Sequence, residues 1–345
     1  MKLESVLELK TEVLKSVRRQ ETQRRTATQT ESLANPNVAD RIAVGYSATG
    51  KDQFRLELRV QREAGPAFQR AVEIKKEARG EANIEIIPYV GIPTKAEISD
   101  ASVFRSYGGN KRPLHIGLSV GHSDDGPGSL GAFLETDDGV AILSNSHVLA
   151  LSGRADKKDW IYQPGREPKY TLSADDRIAK LRNFVELSRV DRNESDSAIA
   201  LLEKEVDHDS NQIPKGYGFP DEGKLIRHLP EKPELLQSNK PICKIGRTTG
   251  WREGILTALS LDGLTVTTPR LGNVIFDNVL EISWTDKSFS EPGDSGSLVY
   301  TRDELAALGL HFAAGPKGSG RKQTMVSYSC KLDLILKTYK ATLLE

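Results

Sequence analysis

The sequence is poor in cysteine, carries no excess of either charge and has no long apolar run. Its 345 residues include two cysteines, Cys243 and Cys330, which are too few for a disulfide framework. Lys plus Arg and Asp plus Glu each total 48, so the charge is balanced and no nucleic-acid partner is expected. A membrane-spanning helix needs about 20 consecutive apolar residues, and apolar runs such as residues 139–143 are far shorter. These absences predict a protein with neither nucleic-acid nor membrane partners.

The first residues also lack the pattern of an export signal. In residues 1–17, MKLESVLELKTEVLKSV, acids and lysines interrupt the stretch where a signal peptide would be apolar. We therefore expect a cytoplasmic protein whose two cysteines stay reduced and pack as small apolar side chains. The sequence leaves open whether the two cysteines meet.

The N-terminal third predicts a helix followed by a small mixed module. Apolar residues at helical spacing in residues 1–17 predict an amphipathic helix, and a polar linker runs from there to about residue 38. Residues 39–112 predict two strands, a helix that begins at Pro66 and a third strand over residues 83–90. This ββαβ module is too small to bury a core alone, so it is expected to dock on its neighbour.

The remaining chain is rich in short strands separated by turn signals. Residues 113–205 and 240–345 form two such sets, joined by a charged, proline-containing connection over residues 206–239. The second set ends in a predicted helix near Leu332. Two sets of short strands predict a mainly β protein built of two barrels or a sandwich.

A serine lies in a glycine-rich turn before an apolar strand. The turn is Gly293-Asp294-Ser295-Gly296-Ser297. A serine hydroxyl becomes a nucleophile when a base removes its proton and donors stabilise the oxyanion. The flanking glycines allow a tight turn that aims the N–H groups of Gly293 and Ser295 at one point. The alternative is a Gly/Ser turn without chemistry.

His147 and Asp196 are the candidate base and its orienting acid. His147 follows the strand-like residues 140–143, so a rigid strand end would aim its imidazole. Asp196 precedes the apolar strand of residues 198–202, where an acid is costly to bury without a partner. Taken alone, His147 would be read as a structural histidine.

The order His147, Asp196, Ser295, with intervals of 49 and 99 residues, resembles the trypsin/chymotrypsin clan. The resemblance implies a chymotrypsin-like double β-barrel with the site in the cleft between the barrels. Residues 243–259, CKIGRTTGWREGILTAL, resemble a hairpin of the streptogrisin-like bacterial branch. Glu253 stands where those relatives have a second cysteine, so their disulfide is absent. The resemblance covers about residues 113–340.

The chain ahead of the first barrel departs from the family pattern in two ways: it lacks the family's mature N-terminus and it contains about 110 additional residues. No Ile-Val-Gly-Gly-type mature N-terminus precedes the first barrel, which makes activation by that device doubtful. The residues before the barrel fit a cleaved pro-segment, a structural addition or a retained regulatory domain. We favour the retained domain, with a regulatory protein partner binding through residues 1–112.

The resemblance also places a substrate pocket. Its base falls near Phe289, where the absence of Asp gives no support for a Lys or Arg preference, and one wall falls on Leu310, His311 and Phe312. The wall resembles glutamyl endopeptidases, in which a histidine at this place receives an acidic side chain. A histidine packed at a strand edge, or a pocket for an apolar side chain, explains these residues equally well.

The sequence thus predicts a serine endopeptidase that acts on protein or peptide substrates through an acyl-enzyme, without cofactor or metal, and whose activity a partner or substrate releases. His208 lies between two aspartates, but no second histidine stands at ligand spacing. The alternatives are a protease-fold interaction or sensor module with little turnover, and an esterase with the same machinery.

Overall fold

A computed structural model of the protein describes residues 1–27, 41–92, 111–167, 170–228, 240–284, 288–320 and 323–345. Within these ranges no helix is long and apolar enough to cross a membrane. The linker residues 28–38 and residues 229–239 of the charged connection lie outside the described ranges.

The N-terminal part has the predicted ββαβ order behind a long helix. Its elements are α1 (Leu3–Ala27), β1 (Ile42–Gly50), β2 (Gln53–Val60), α2 (Pro66–Glu77) and β3 (Ala82–Ile86).

Helix α1 continues ten residues beyond its predicted end at Val17. The extension is rich in Gln, Glu and Arg, which favour helix. Two of its polar side chains also find partners, since Arg18 binds Asp277 and Glu21 binds Arg192. The polar stretch that looked like a linker is therefore helical up to Ala27.

The first barrel is a curled eight-stranded sheet, ordered β20-β6-β7-β11-β9-β8-β4-β5. Its strands are β4 (Ser119–His122), β5 (Gly128–Ser129), β6 (Ala132–Thr136), β7 (Gly139–Ser144), β8 (Trp160–Tyr162), β9 (Arg177–Phe184), β11 (Ala198–Leu202) and β20 (Thr342–Leu343). The one-turn helix α3 (Ser146–Leu149) follows β7.

The second barrel closes through six strands, because β12 pairs with both β13 and β17. Its strands are β12 (Pro241–Gly246), β13 (Gly250–Asp262), β16 (Val279–Trp284), β17 (Leu298–Thr301), β18 (Ala307–Lys317) and β19 (Thr324–Lys331). A separate three-stranded sheet contains β10 (Arg192–Asn193), β14 (Leu264–Thr268) and β15 (Gly272–Phe276). The predicted C-terminal helix is α4 (Leu332–Tyr339).

The chain therefore has the predicted mainly β fold, a chymotrypsin-like double β-barrel with an N-terminal module and a C-terminal helix. The hairpin expected within residues 243–259 is the β12–β13 pair. In its register Cys243 lies opposite Glu253, and both cysteines are buried and form no disulfide.

The module is joined to the second barrel through a shared sheet. Strand β13 is long enough to pair with β12 and β16 and still accept β1 beyond them, with Val44 opposite Asp262. One apolar cluster accordingly contains residues of α1, β1, β2, α2 and strands of the second barrel. The module docks on its neighbour as expected.

Candidate active site

His147 and Asp196 meet because the two strands that carry them are paired. Ser144 at the end of β7 lies opposite Ala198 at the start of β11. In an antiparallel pair, the residues after one strand and before the other emerge at the same end. Residues 145–147 and 196–197 are therefore neighbours.

The contact between His147 and Asp196 is direct. His147 Nδ1 lies 2.5 Å from Asp196 Oδ2, and the His147 backbone N–H donates to Asp196 Oδ1 at 3.1 Å. Asp196 is fully buried, and Asn145 Nδ2 donates to its carbonyl at 2.7 Å. A hydrogen bond to Nδ1 leaves Nε2 of the imidazole as the atom that can accept a proton.

Ser295 lies on the turn before β17, which packs against the first barrel. Its carbonyl accepts a hydrogen bond of 2.7 Å from the Ser129 N–H, and the Ser129 hydroxyl donates to the Gly293 carbonyl at 3.0 Å. Gly296 has φ of +92°, and a Cβ there would lie 2.1 Å from Ser144 Oγ. The turn can approach β7 this closely because residue 296 has no side chain.

Ser295 and His147 line the same cavity, of about 100 Å³, together with Gly293. The Ser295 hydroxyl makes no hydrogen bond to His147 or to any other residue in the described ranges. Catalytic hydrogen bonds of this kind are often loose without substrate and tighten when it binds.

The backbone of the turn contains two N–H groups with no acceptor among the described residues, those of Gly293 and Ser295. The adjacent N–H groups are all used: Asp294 donates to Glu291, Gly296 to His311 and Ser297 to Asp294. Buried backbone donors are nearly always paired. Two neighbouring donors left over beside a serine at a cavity are suited to an oxyanion.

Asp294 anchors the Ser295 turn to the β12–β13 hairpin. It is fully buried and accepts hydrogen bonds from Thr248 N–H at 2.9 Å and Thr249 Oγ1 at 2.7 Å, and Lys244 Nζ lies 2.8 Å from its Oδ2. Burial raises the pKa of Asp294, but the charge of Lys244 outweighs it and the pKa lies below its usual value. The sequence motif contains Asp294, yet its partners become visible only when the β12–β13 hairpin is folded beneath it.

The residues predicted for the substrate pocket are not among those that line this cavity. Phe289, Leu310 and Phe312 are buried in apolar clusters, with the Phe312 ring centroid 4.6 Å from that of Phe276. His311 is also buried, and its Nδ1 has no hydrogen-bond partner in the described ranges. Burial, reinforced by the charge of Lys244, lowers the His311 pKa to about 3, so the imidazole is neutral.

Several residues at the cavity were not anticipated from the sequence. Ile92, from the N-terminal module, lines it. Asp125, from the first barrel, and Arg270, from the turn between β14 and β15, also line it and form an ion pair of 2.9 Å. Ile92 follows the predicted third strand, but nothing in the sequence relates it to Ser295.

The described residues contain no cluster of three His, Cys, Asp or Glu side chains suited to a metal ion. His208, which has aspartates on both sides, stacks on Phe133 with ring centroids 4.8 Å apart.

Solved structures similar to this chain are bacterial serine proteases of the trypsin/chymotrypsin type. The Nocardiopsis protease aligns with a TM-score of 0.46 and 16% identity over 67% of this chain and 100% of its own. Cellulomonas bogoriensis chymotrypsin aligns with a TM-score of 0.44 and 18% identity over 67% and 99%. A glutamic acid specific serine protease that uses a histidine triad in substrate binding aligns with a TM-score of 0.44 and 16% identity over 67% and 100%. No family model and no curated protein matches the chain.

Proposed function

We propose that this protein is a serine endopeptidase with His147, Asp196 and Ser295 as its triad. The observation that carries the proposal is the buried Asp196 carboxylate, which binds His147 at both Nδ1 and the backbone N–H. This contact fixes the tautomer and direction of an imidazole that shares a cavity with Ser295.

The reaction is acyl transfer in two halves. His147 Nε2 takes the proton of the Ser295 hydroxyl as Oγ attacks the peptide carbonyl, and the N–H groups of Gly293 and Ser295 stabilise the oxyanion. His147 then protonates the leaving amine, and the C–N bond breaks. Water attacks the acyl-enzyme with His147 again as base, which releases the acid and restores Ser295.

The experiment compares wild-type protein with Ser295→Ala on a mixed peptide library, with products identified by mass spectrometry. We expect cleavage to fall by about 10⁴-fold or more, because the remaining groups keep only a small part of the catalysis. Ser123→Ala is the matched control, because among the described residues the Ser123 hydroxyl is bonded only to neighbouring Asp124 Oδ1. Equal cleavage by the wild type and Ser295→Ala would contradict the proposal.

The preference at the cleavage site stays a prediction. Cleavage after Glu or Asp would support a role for His311, whereas cleavage after apolar residues would leave the triad and remove that role. A neutral His311 offers a hydrogen bond rather than a positive charge to an acidic side chain.

A protease-fold sensor with little turnover is the second candidate, and the presence of the N-terminal module's Ile92 in the wall of the cavity favours it. A fluorophosphonate distinguishes the two, because it reacts with a triad-activated serine. Failure to label Ser295 in folded protein would favour the sensor.

A further inference from the structure

Residues 87–92, Ile-Pro-Tyr-Val-Gly-Ile, leave the third strand of the module and run into the cavity of Ser295. Ile87 N–H still donates to Val60 of β2 at 2.8 Å. Ile92, at the other end, lines the cavity with His147, Gly293 and Ser295. We call residues 87–92 the cleft segment.

The cleft segment is held on both sides as an extended strand. On β18, Gly91 N–H donates to the Ala314 carbonyl at 3.0 Å and Ala314 N–H donates to the Gly91 carbonyl at 3.2 Å. On β14, Ile92 N–H donates to the Thr267 carbonyl at 3.0 Å and Thr267 N–H donates to the Val90 carbonyl at 2.8 Å. The segment therefore bridges two strands, antiparallel to one and parallel to the other.

The surroundings fit the segment closely. Ile87, Val90 and Ile92 are buried and belong to the main apolar cluster. A Cβ at Gly315 of β18 would lie 2.0 Å from the Tyr89 carbonyl oxygen. Any side chain at residue 315 would thus meet the backbone of the segment.

The same strand of the barrel supports the Ser295 turn. His311, three residues before Ala314 on β18, accepts a hydrogen bond of 2.8 Å from the Gly296 N–H. An extended peptide that reaches Ser295 along this barrel would be expected to pair with a free strand edge, because that is how β-addition gains its main-chain hydrogen bonds. The edge of β18 at Ala314 lies three residues from the carbonyl that holds the Ser295 turn, and the cleft segment fills it.

We propose that the cleft segment is an intramolecular, substrate-like strand, and that polypeptide substrates bind only after it leaves Ala314 and Thr267. The proposal rests on the proposed peptidase function. A tethered strand competes at a high effective concentration, so free peptides bind weakly while it is in place. While the cleft segment is in place, the triad stays assembled but the edge of β18 at Ala314 is not available to substrates.

Gly91→Pro tests the proposal, because proline removes the N–H that donates to Ala314. Two readouts are compared: kcat/KM for an acetyl-tripeptide coumarin amide, and the labelling rate of Ser295 by diisopropyl fluorophosphate, which needs no strand pairing. We expect kcat/KM to rise by about tenfold or more, since a lost hydrogen bond and the burial it supports change binding by that order. The labelling rate should change by less than about threefold.

Pro88→Ala is the matched control within the cleft segment. Pro88 is exposed and donates no backbone hydrogen bond, so this substitution should leave both rates unchanged. The synthetic peptide IPYVGI provides a second control. It should inhibit Gly91→Pro competitively and have far less effect on the wild type, whose edge is already filled.

Two further measurements keep the test decisive if Gly91→Pro does not fold. Gly315→Ala disfavours the cleft segment from the other side, because its Cβ would lie 2.0 Å from the Tyr89 carbonyl oxygen. An acetyl-tripeptide whose residues occupy the positions of Gly91, Ile92 and the reacting residue has no atom at the place of that oxygen, so kcat/KM should rise in this variant as well. In the wild type, an acetyl-tripeptide boronate bound to Ser295 should accelerate hydrogen exchange of the Gly91 and Ile92 amides.

The outcomes separate the two proposals. Unchanged kcat/KM in the variants, or protected Gly91 and Ile92 amides beneath a bound boronate, would overturn the inference while Ser295 still reacts with the fluorophosphate. Failure of the fluorophosphate to label Ser295 in the folded wild type and variants would instead remove the peptidase function, and the inference with it.

Discussion

At the scale of single residues, the ion pair between Lys244 and Asp294 beside the Ser295 turn is shielded from solvent. Lys244 and Asp294 are both fully buried, and Lys244 also donates to Thr249 Oγ1 at 2.5 Å. Removing one member of such a pair leaves the other charge buried and uncompensated, which typically costs about 3–5 kcal/mol. The turn that presents Gly293 and Ser295 depends on this pair for its position.

Lys244→Met should therefore lower both stability and turnover. We expect the free energy of unfolding to fall by about 3 kcal/mol or more, and kcat to fall more than KM rises, because the displaced N–H groups act on the oxyanion. Urea denaturation and steady-state kinetics on a short peptide measure the two effects. The control is Lys224→Met, which removes a mostly exposed lysine paired with Asp221 and should change stability and turnover little. An unchanged kcat in Lys244→Met would contradict the positioning role of the buried pair.

At the scale of elements, the site depends on how closely the Ser295 turn approaches the first barrel. Gly131 and Gly296 face each other there, since a Cβ on Gly131 would lie 2.3 Å from the Gly296 carbonyl. Strand β7 brings His147 and the turn before β17 brings Ser295, so the separation of these two elements sets the distance between base and nucleophile.

Gly296→Ala should push the turn away from β7 and lower kcat by about 10²-fold, because small misplacements of reacting groups carry losses of that order. Its Cβ would lie 2.4 Å from the Ser129 carbonyl oxygen, which cannot rotate away. Gly80→Ala is the control: it has a similar φ of +85° and nothing within 4 Å of its added Cβ. It carries the backbone strain without the clash, so equal kcat losses in both variants would show that strain alone is responsible.

Most strands and the turn at Ser295 follow from local patterns, because strand alternation and a glycine-rich turn are properties of short segments. The same patterns placed His147 after a strand and Asp196 before one, as in the structure, whereas their grouping with Ser295 rested on the resemblance of their order and intervals to a known clan. The end of α1 was missed because its polar extension is stabilised by Asp277 and Arg192, distant in sequence. Ile92 and Lys244 were missed because their roles arise from pairings with Thr267 and Asp294 that no local pattern encodes.

At the scale of the whole molecule, a buried group of charges joins the module to the second barrel. Arg59 of β2 donates to both oxygens of Glu281 on β16, at 2.9 Å each, and to Glu57 at 2.7 Å. Lys317 and the Tyr328 hydroxyl also contact Glu281. Burial raises the pKa of Glu281, but Arg59 and Lys317 outweigh it and hold the pKa well below the ordinary value of 4.5.

This arrangement predicts a loss of stability in acid. Below about pH 4.5 the unfolded chain takes up a proton at Glu281 that the folded protein does not, so the free energy of unfolding falls as pH falls. His311 has the same effect, because the unfolded chain protonates it near pH 6.5 and the folded protein only near its pKa of about 3. Between these values the free energy of unfolding falls by about 1.4 kcal/mol for each pH unit of acidification. Urea denaturation at pH 7, 5.5 and 4 should show this decline; constant stability over that range would contradict it.

Arg59→Met isolates the charge group. At pH 7 we expect a loss of about 3–5 kcal/mol, because Glu57 and Glu281 lose their shared cation. The difference from the wild type should shrink as pH falls, since protonation removes the uncompensated charge in the variant. Arg70→Met, at a surface pair with Glu73 and Glu77, should show a small difference at every pH. A gap for Arg59→Met that widens in acid would be inconsistent with this account.

The shared sheet has a consequence for the order of events during synthesis. Strands β1 and β2 leave the ribosome well before β13, to which β1 is paired, and before the β18 residue that holds Gly91. Domains that emerge first usually fold first, but this module lacks its sheet neighbour until most of the chain has been translated. The cleft segment and the edge it covers therefore become ordered in the same late step, so the edge is already occupied when Ser295 and His147 are first brought together.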